Sequence, residues 1–209
     1  MDDPSWHLES TSDSITLYSN SVPGISIVPL KVVMTIPGTI EEVSLVLEDI
    51  PRRGDWISHF GESRLLERTS DYEQTEYLRV DMPWPAMDRT ALVHVLISVS
   101  DDRRRATIAA QSVASHPNDS LPPLVRSTIY ARTFQMTQAG DHVEVVALVF
   151  IDPRGSIPKS LVNYFSRRVS RSTLAGLRRQ VARHLYTPAQ LVGMRRRIQA
   201  YRAVGGSGP

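Results

Sequence analysis

A chain of 209 residues with no cysteine can bury roughly 70% of its unfolded surface, so it needs neither disulfide nor metal to fold. Thiolate catalysis and cysteine-based zinc sites are excluded. The formal charge of +2 conceals an asymmetry: all 22 acidic and thirteen of the 24 basic residues precede Pro158, while the stretch from Pro158 to Pro209 holds the remaining basic residues and no acid.

Met1-Asp2-Asp3-Pro4 lacks the basic-then-apolar order of a signal peptide. No apolar run approaches the ~20 residues of a membrane span. A soluble, cytoplasmic protein is expected. Ile15 to Ser19 and Ile25 to Ile36 are β-branched and strand-like, with a turn at Val22-Pro23-Gly24 between them. A helix is predicted from Thr39 to Asp49, with Glu41 and Glu42 in the first turn, where the helix dipole favours negative charge. Its buried side is Ile40, Val43, Val46, Leu47 and Ile50. Pro51 ends it, and a short turn carries Trp56. Strands follow at Arg64 to Thr69, Gln74 to Asp81, Ala91 to Val99 and Ala106 to Val113. A Pro/Asn/Asp/Ser loop spans Ala114 to Pro123. Two long strands, Val125 to Met136 and His142 to Ile151, form the last hairpin. Hairpins without βαβ crossovers predict an α+β fold with one curved antiparallel sheet and a long helix against its concave side.

That helix begins after Asp152-Pro153-Arg154-Gly155-Ser156-Ile157-Pro158. Leu161, Phe165, Val169, Leu177, Val181 and Leu185 form its apolar stripe, with Arg167, Arg168, Arg171, Arg178, Arg179 and Arg183 away from it. Ser172, Thr173 and Gly176 interrupt the stripe. Small residues there either border a cavity or admit close contact with the sheet. A second helix starts at Thr187-Pro188, with Thr as N-cap and Pro at the first helical position, and carries Arg195-Arg196-Arg197. The predicted organisation is a domain over 1–185, a basic helical extension over 186–204 and a flexible tail over 205–209. The basic face suits phosphate, on lipid headgroups or nucleic acid, or is an ordinary solvated surface.

Taken in order, these segments resemble the START domain, the steroidogenic-acute-regulatory-protein-related lipid-transfer family. The resemblance rests on Trp6 ahead of Ile15-Thr16-Leu17-Tyr18, on Glu48-Asp49 followed by Trp56, and on Pro83-Trp84-Pro85-Ala86-Met87-Asp88-Arg89. It continues through Ser112-Val113-Ala114-Ser115-His116-Pro117 and Val125-Arg126 to Asp152-Pro153-Arg154-Gly155 with Leu161-Val162-Asn163. It spans Trp6 to His184. It implies a helix-grip fold, in which the sheet wraps the C-terminal helix around an internal lipid cavity, with the Pro-rich loop and that helix as the gate.

By the same resemblance Glu76 matches a buried acid of the sterol-carrying branch, whose basic partner would fall at Val95. The acid is kept and the base is lost. Period-2 alternation turns Glu76, Leu78 and Val80, and Val93, Val95 and Ile97, toward a shared interior. A carboxylate there needs a cation, Arg126 or Arg132, unless Glu76 is solvated at a strand edge. The ligand-binding set is Glu76, Leu78, Trp84, Val93, Val95, Arg126, Phe165 and Val169. The membrane-contact set is Trp84, Arg195, Arg196 and Arg197, with Trp84 at the mouth or folded into the core. The expected partners are one lipid or other hydrophobic small molecule and, transiently, an anionic membrane surface. No cofactor, metal, catalytic residue or nucleic-acid partner is expected. The main alternative is a polyketide cyclase or aromatase-like enzyme using the same cavity. Nucleic-acid binding through the arginine-rich tail is the third reading.

Overall fold

The computed structural model describes residues 5–84, 86–118 and 124–201; the tail expected over 205–209 lies outside them. Three short strands open the chain, β1 (His7–Ser12), β2 (Ile15–Ser19) and β3 (Leu30–Pro37). Helix α1 (Ile40–Glu48) and a 3₁₀ turn (Ile50–Asp55) lead into β4 (Phe60–Ser70), β5 (Glu73–Val80), β6 (Arg89–Val99) and β7 (Arg105–Ser112). After β8 (Val125–Arg126) come β9 (Thr128–Ala139), β10 (His142–Asp152), α2 (Lys159–Val181) and α3 (Pro188–Ala200). The strands form one sheet in the order β1-β2-β3-β10-β9-β7-β6-β5-β4, antiparallel throughout, with β8 added parallel to β6. This is the predicted α+β helix-grip architecture.

Local chemistry sets the element ends. Thr39 caps α1 in a capping box: its hydroxyl accepts from the Glu42 N–H at 3.3 Å, and its own N–H donates to Glu42 Oε2 at 2.9 Å. Thr187 and Gln190 repeat the device at α3, with Pro188 at the first helical position. Two expectations shift, and one strand was not expected. The strand expected from Ile25 begins only at Leu30, because Val22 and Ile25 close a turn and Pro29 precedes the ladder. The strand expected over 125–136 is two, separated at Ser127, whose N–H donates to the Thr90 carbonyl. β1 carries no apolar alternation, since all six residues are exposed.

Helix α2 packs unevenly. Its buried residues are Val162 near the start, then Ser170, Leu174, Gly176, Leu177, Gln180 and Val181. The stripe expected from Leu161 to Leu185 is corrected: Leu161 is 43% exposed, and Leu185 lies beyond the helix. A four-residue repeat rotates by about 40° per step against a 3.6-residue turn, so it cannot keep one face over six steps. The small residues divide: Thr173 borders the cavity, and Gly176 admits a close contact, with the 3₁₀ turn in place of the expected sheet. A Cβ on Gly176 would stand 2.1 Å from the Trp56 carbonyl oxygen, so glycine is what lets the helix meet the 3₁₀ turn. Thr173 accepts a hydrogen bond from the Ser58 N–H at 3.2 Å and faces open space.

The apolar interior falls into two clusters. The larger joins β2, β3, α1, Trp56 and the C-terminal half of α2, through residues such as Val32, Val43, Leu174 and Leu177. The smaller is Leu78, Ala91, Val93, Val95, Ala110 and Ile129. Gly176→Ala therefore should cost about 1–3 kcal/mol by overpacking, read as a lowered urea midpoint with unchanged slope. An unaltered midpoint would mean that the helix does not depend on this contact.

Candidate functional site

A cavity of about 250 Å³ lies between the two clusters, under the N-terminal half of α2. Its wall is mostly apolar. Val95, Ile108 and Ala110 come from β6 and β7, Phe134 and Val149 from β9 and β10, and Val162, Phe165 and Val169 from α2. The sheet register explains the alignment. Val95 pairs with Ala110, Ala110 with Arg132, and Arg132 with Val149, so one cross-strand row supplies four lining residues. Trp56 closes one end, and its indole N–H is buried with no acceptor among the described residues.

Charge enters at two points. Glu76 is fully buried, and Arg53 of the 3₁₀ turn grips it with both guanidinium nitrogens, Nη2 at 3.0 Å from Oε1 and Nη1 on Oε2. Arg53 also donates to Ser63 Oγ at 2.8 Å and to the Leu47 carbonyl at 3.3 Å, and Gln74 donates to Glu76 Oε1. The cation is thus tied to β4, β5 and the end of α1. Burial pushes the Glu76 carboxyl up. The hydrogen bonds and charge of Arg53, the charge of Arg132 and the Gln74 hydrogen bond outweigh it and hold Glu76 below its ordinary range. Arg132 lines the cavity, and its guanidinium makes no hydrogen bond or ion pair with the described residues.

Of the residues singled out in the sequence, Val95, Phe165 and Val169 line the cavity. Leu78 and Val93 lie in the small cluster behind it. Arg126 is exposed on β8 and donates to the Ala114 carbonyl at 3.2 Å, away from the cavity lining. The partner of Glu76 is Arg53, which sequence reasoning left in a turn. The signal for it was Gln74 and Glu76 on one inward face of β5, a polar pair that requires a donor from outside the strand. The solvated-edge alternative for Glu76 fails on its burial.

Two loops frame the other end, near Val80, Met82, Pro153 and Ile157. Arg89, itself buried, joins them. Nε donates to the Pro153 carbonyl at 2.7 Å, Nη2 to the Arg154 carbonyl at 3.2 Å, and Nη1 to the Met87 carbonyl. Trp84 is 92% exposed on the first loop, so the core alternative for it is excluded. Met87 beside it, and Leu161 and Tyr164 on the first turns of α2, are also exposed. The arginines of α3 lie elsewhere. Arg195 pairs with Glu41 at 2.8 Å and Arg197 with Glu48, both on α1; Arg196 is exposed. Tyr72, just before β5, donates to the Arg197 carbonyl at 2.8 Å, whereas Trp84 follows the far end of that strand. At about 3.3 Å per residue the eight residues of β5 hold the two sets roughly 25 Å apart.

A START domain family model matches residues 1–187. A STAR-related lipid transfer protein from Xanthomonas axonopodis is 26% identical, with a TM-score of 0.74, over 85% of this chain and 99% of that one. Human StAR-related lipid transfer protein 5 superposes with a TM-score of 0.79 at 17% identity, over 88% of this chain and 90% of that one. Human STARD10 gives 0.77 at 20% identity, covering 86% and 74%. An uncharacterized protein of Pseudomonas aeruginosa is 28% identical over 178 residues, 83% of this chain and 85% of its own length.

Glu76→Gln leaves the Arg53 charge uncompensated and should cost about 3–5 kcal/mol at pH 7. Because the folded carboxyl is held low, its contribution is complete above the unfolded value of 4.5 and is lost as pH falls through the folded one. The stability gap between wild type and variant, measured by urea unfolding from pH 7 downward, should narrow below that value. A gap independent of pH would show that the ionised pair does not carry it.

Proposed function

The chain belongs to the START domain family, whose members bind lipid or other hydrophobic ligands, and from that premise we propose that it holds one lipid in this cavity and exchanges it at a membrane surface. The observation that carries the reading is the cavity itself, apolar over most of its wall and roofed by the half of α2 that lacks a dry contact with the sheet. Burying alkyl chain is favourable by about 0.8 kcal/mol per CH₂. A fully covered chain of ordinary fatty-acyl length gains on the order of 10 kcal/mol by the same rule, so release requires an opening.

The loops joined by Arg89 supply the place for it. Trp84, Met87, Leu161 and Tyr164 expose apolar surface around that end of the cavity. An exposed tryptophan with a polar N–H suits the headgroup region of a bilayer. Among the described residues no helix is long and apolar enough to cross a membrane, and the contact proposed is peripheral. In this reading Trp84 leads the contact. Arg195 and Arg197 hold α3 on α1, and Arg196 is the member of that run free to meet an anionic surface.

Native mass spectrometry of the purified chain should find a co-purified hydrophobic molecule, and Val169→Trp, which fills the cavity from α2, should abolish it while the protein stays folded. An empty wild-type protein that also takes up no added lipid would overturn the reading. In vesicle sedimentation, Trp84→Ala should weaken binding several-fold and Arg196→Glu should weaken it only on anionic vesicles. Binding that ignores Trp84 would remove that loop from the contact.

A further inference from the structure

We propose that the guest of this cavity is a single-chain carboxylate, an apolar acid whose carboxylate is held by Arg132; this rests on the reading of the cavity as a lipid site. Three charged side chains line this space, Arg53, Arg89 and Arg132, and Glu76 stands behind Arg53; Arg89, at the other end, is taken up by the carbonyls of Met87, Pro153 and Arg154. Arg53 and Glu76 neutralise each other through two hydrogen bonds. Arg132 is left over. Its guanidinium has no acceptor among the described residues, and it stands in a row whose neighbours are Ala110 and Val149. Burial and the nearby Arg53 charge push its pKa down, only partly offset by Glu76, to about 10, so it stays protonated at neutral pH. The side chain is part-exposed, open to the cavity, and a charge facing a mostly apolar wall with no carboxylate partner is costly.

The charge count selects the class of guest. One negative charge answers the one guanidinium left without an acceptor, and its planar fork matches a carboxylate. A zwitterionic headgroup brings a cation, for which Glu76 is already engaged by Arg53. An alcohol leaves Arg132 unanswered. Size points the same way. Ligand sites usually measure roughly 300–1,000 Å³, and a dry cavity of about 150 Å³ takes a single aromatic ring. At about 250 Å³ this one suits one chain rather than a diacyl lipid.

The test compares dodecanoate, dodecanol and dodecyl phosphate on the delipidated full chain by isothermal titration calorimetry. Wild type should prefer dodecanoate to dodecanol by about tenfold or more. Arg132→Gln should erase that preference while dodecanol binding stays, and Arg132→Lys should keep part of it. Thermal unfolding checks the variants, and the wild-type comparison needs none of them. Equal affinity for dodecanoate and dodecanol, a preference that survives Arg132→Gln, or tighter binding of dodecyl phosphate would each overturn the carboxylate assignment alone. Failure of all three probes to bind wild type would overturn the lipid-site reading and this proposal together.

Discussion

A carboxylate with no solvent exposure, on the strand beside a sheet edge, obliges the rest of the chain to bring it a cation. Glu76 receives Arg53, and much of the architecture follows from that demand. Arg53 reaches β5 only if α1 stops where it does and the chain turns tightly at Ile50–Asp55. The same guanidinium satisfies the Leu47 carbonyl, one of the acceptors a helix end leaves open. It also holds Ser63 of β4. One side chain therefore fixes the end of a helix, a turn and two strands, and it does so from the wall of the cavity.

The cavity is the space that remains once the two ends of α2 are treated differently. Toward Val181 the helix meets α1 and β3 through Leu174 and Leu177, and Gly176 brings its backbone against Trp56. Toward Lys159 it carries Phe165, Ser166 and Val169 over open volume. Its outer side is tied to the sheet edge by polar contacts: Arg167 to Glu9 at 2.9 Å, Arg171 to Ser10 and Ser12, and Arg178 to the Asp13 carbonyl at 2.7 Å. Uniform arginine along this face, which in the sequence reads as a phosphate-seeking surface, is in good part the fastening of the helix to β1 and its turn. Surface contacts of this kind contribute little each, so they locate the helix more than they stabilise it.

The sequence showed the hairpin order, the helix caps and the two-residue alternation clearly, because those signals are local. It turned Glu76, Leu78, Val93 and Val95 inward, as found, but left the burial of Glu76 open against a solvated strand edge, and Val80 is 40% exposed. Three features were hidden for physical reasons. β1 pairs through backbone alone, and its side chains, all exposed, leave no hydrophobic pattern. Arg53 belongs to a turn whose charges look solvated until the strands are folded beneath it. Arg132 shares its face of β9 with Tyr130, Phe134 and Met136, an apolar alternation that by itself predicts no charge there. The choice between Arg126 and Arg132 depended on the break at Ser127, which sends Arg126 to the surface on β8. Arginines 195 and 197 looked like free charge because their partners, Glu41 and Glu48, lie some 150 residues earlier.

The glycine contact with Trp56 has a mechanical side. Gly176 stands close to the packed end of α2, which makes the Trp56 carbonyl a fulcrum and the preceding seventeen residues a lever. At 1.5 Å per residue that arm is about 26 Å long, so a tilt of about 10° swings its tip by roughly 4–5 Å. Such a rocking would break hydrogen bonds that water can replace, those of Asn163 with Ser26 and Val28 among them, and would uncover Val162 while the dry joint stays seated.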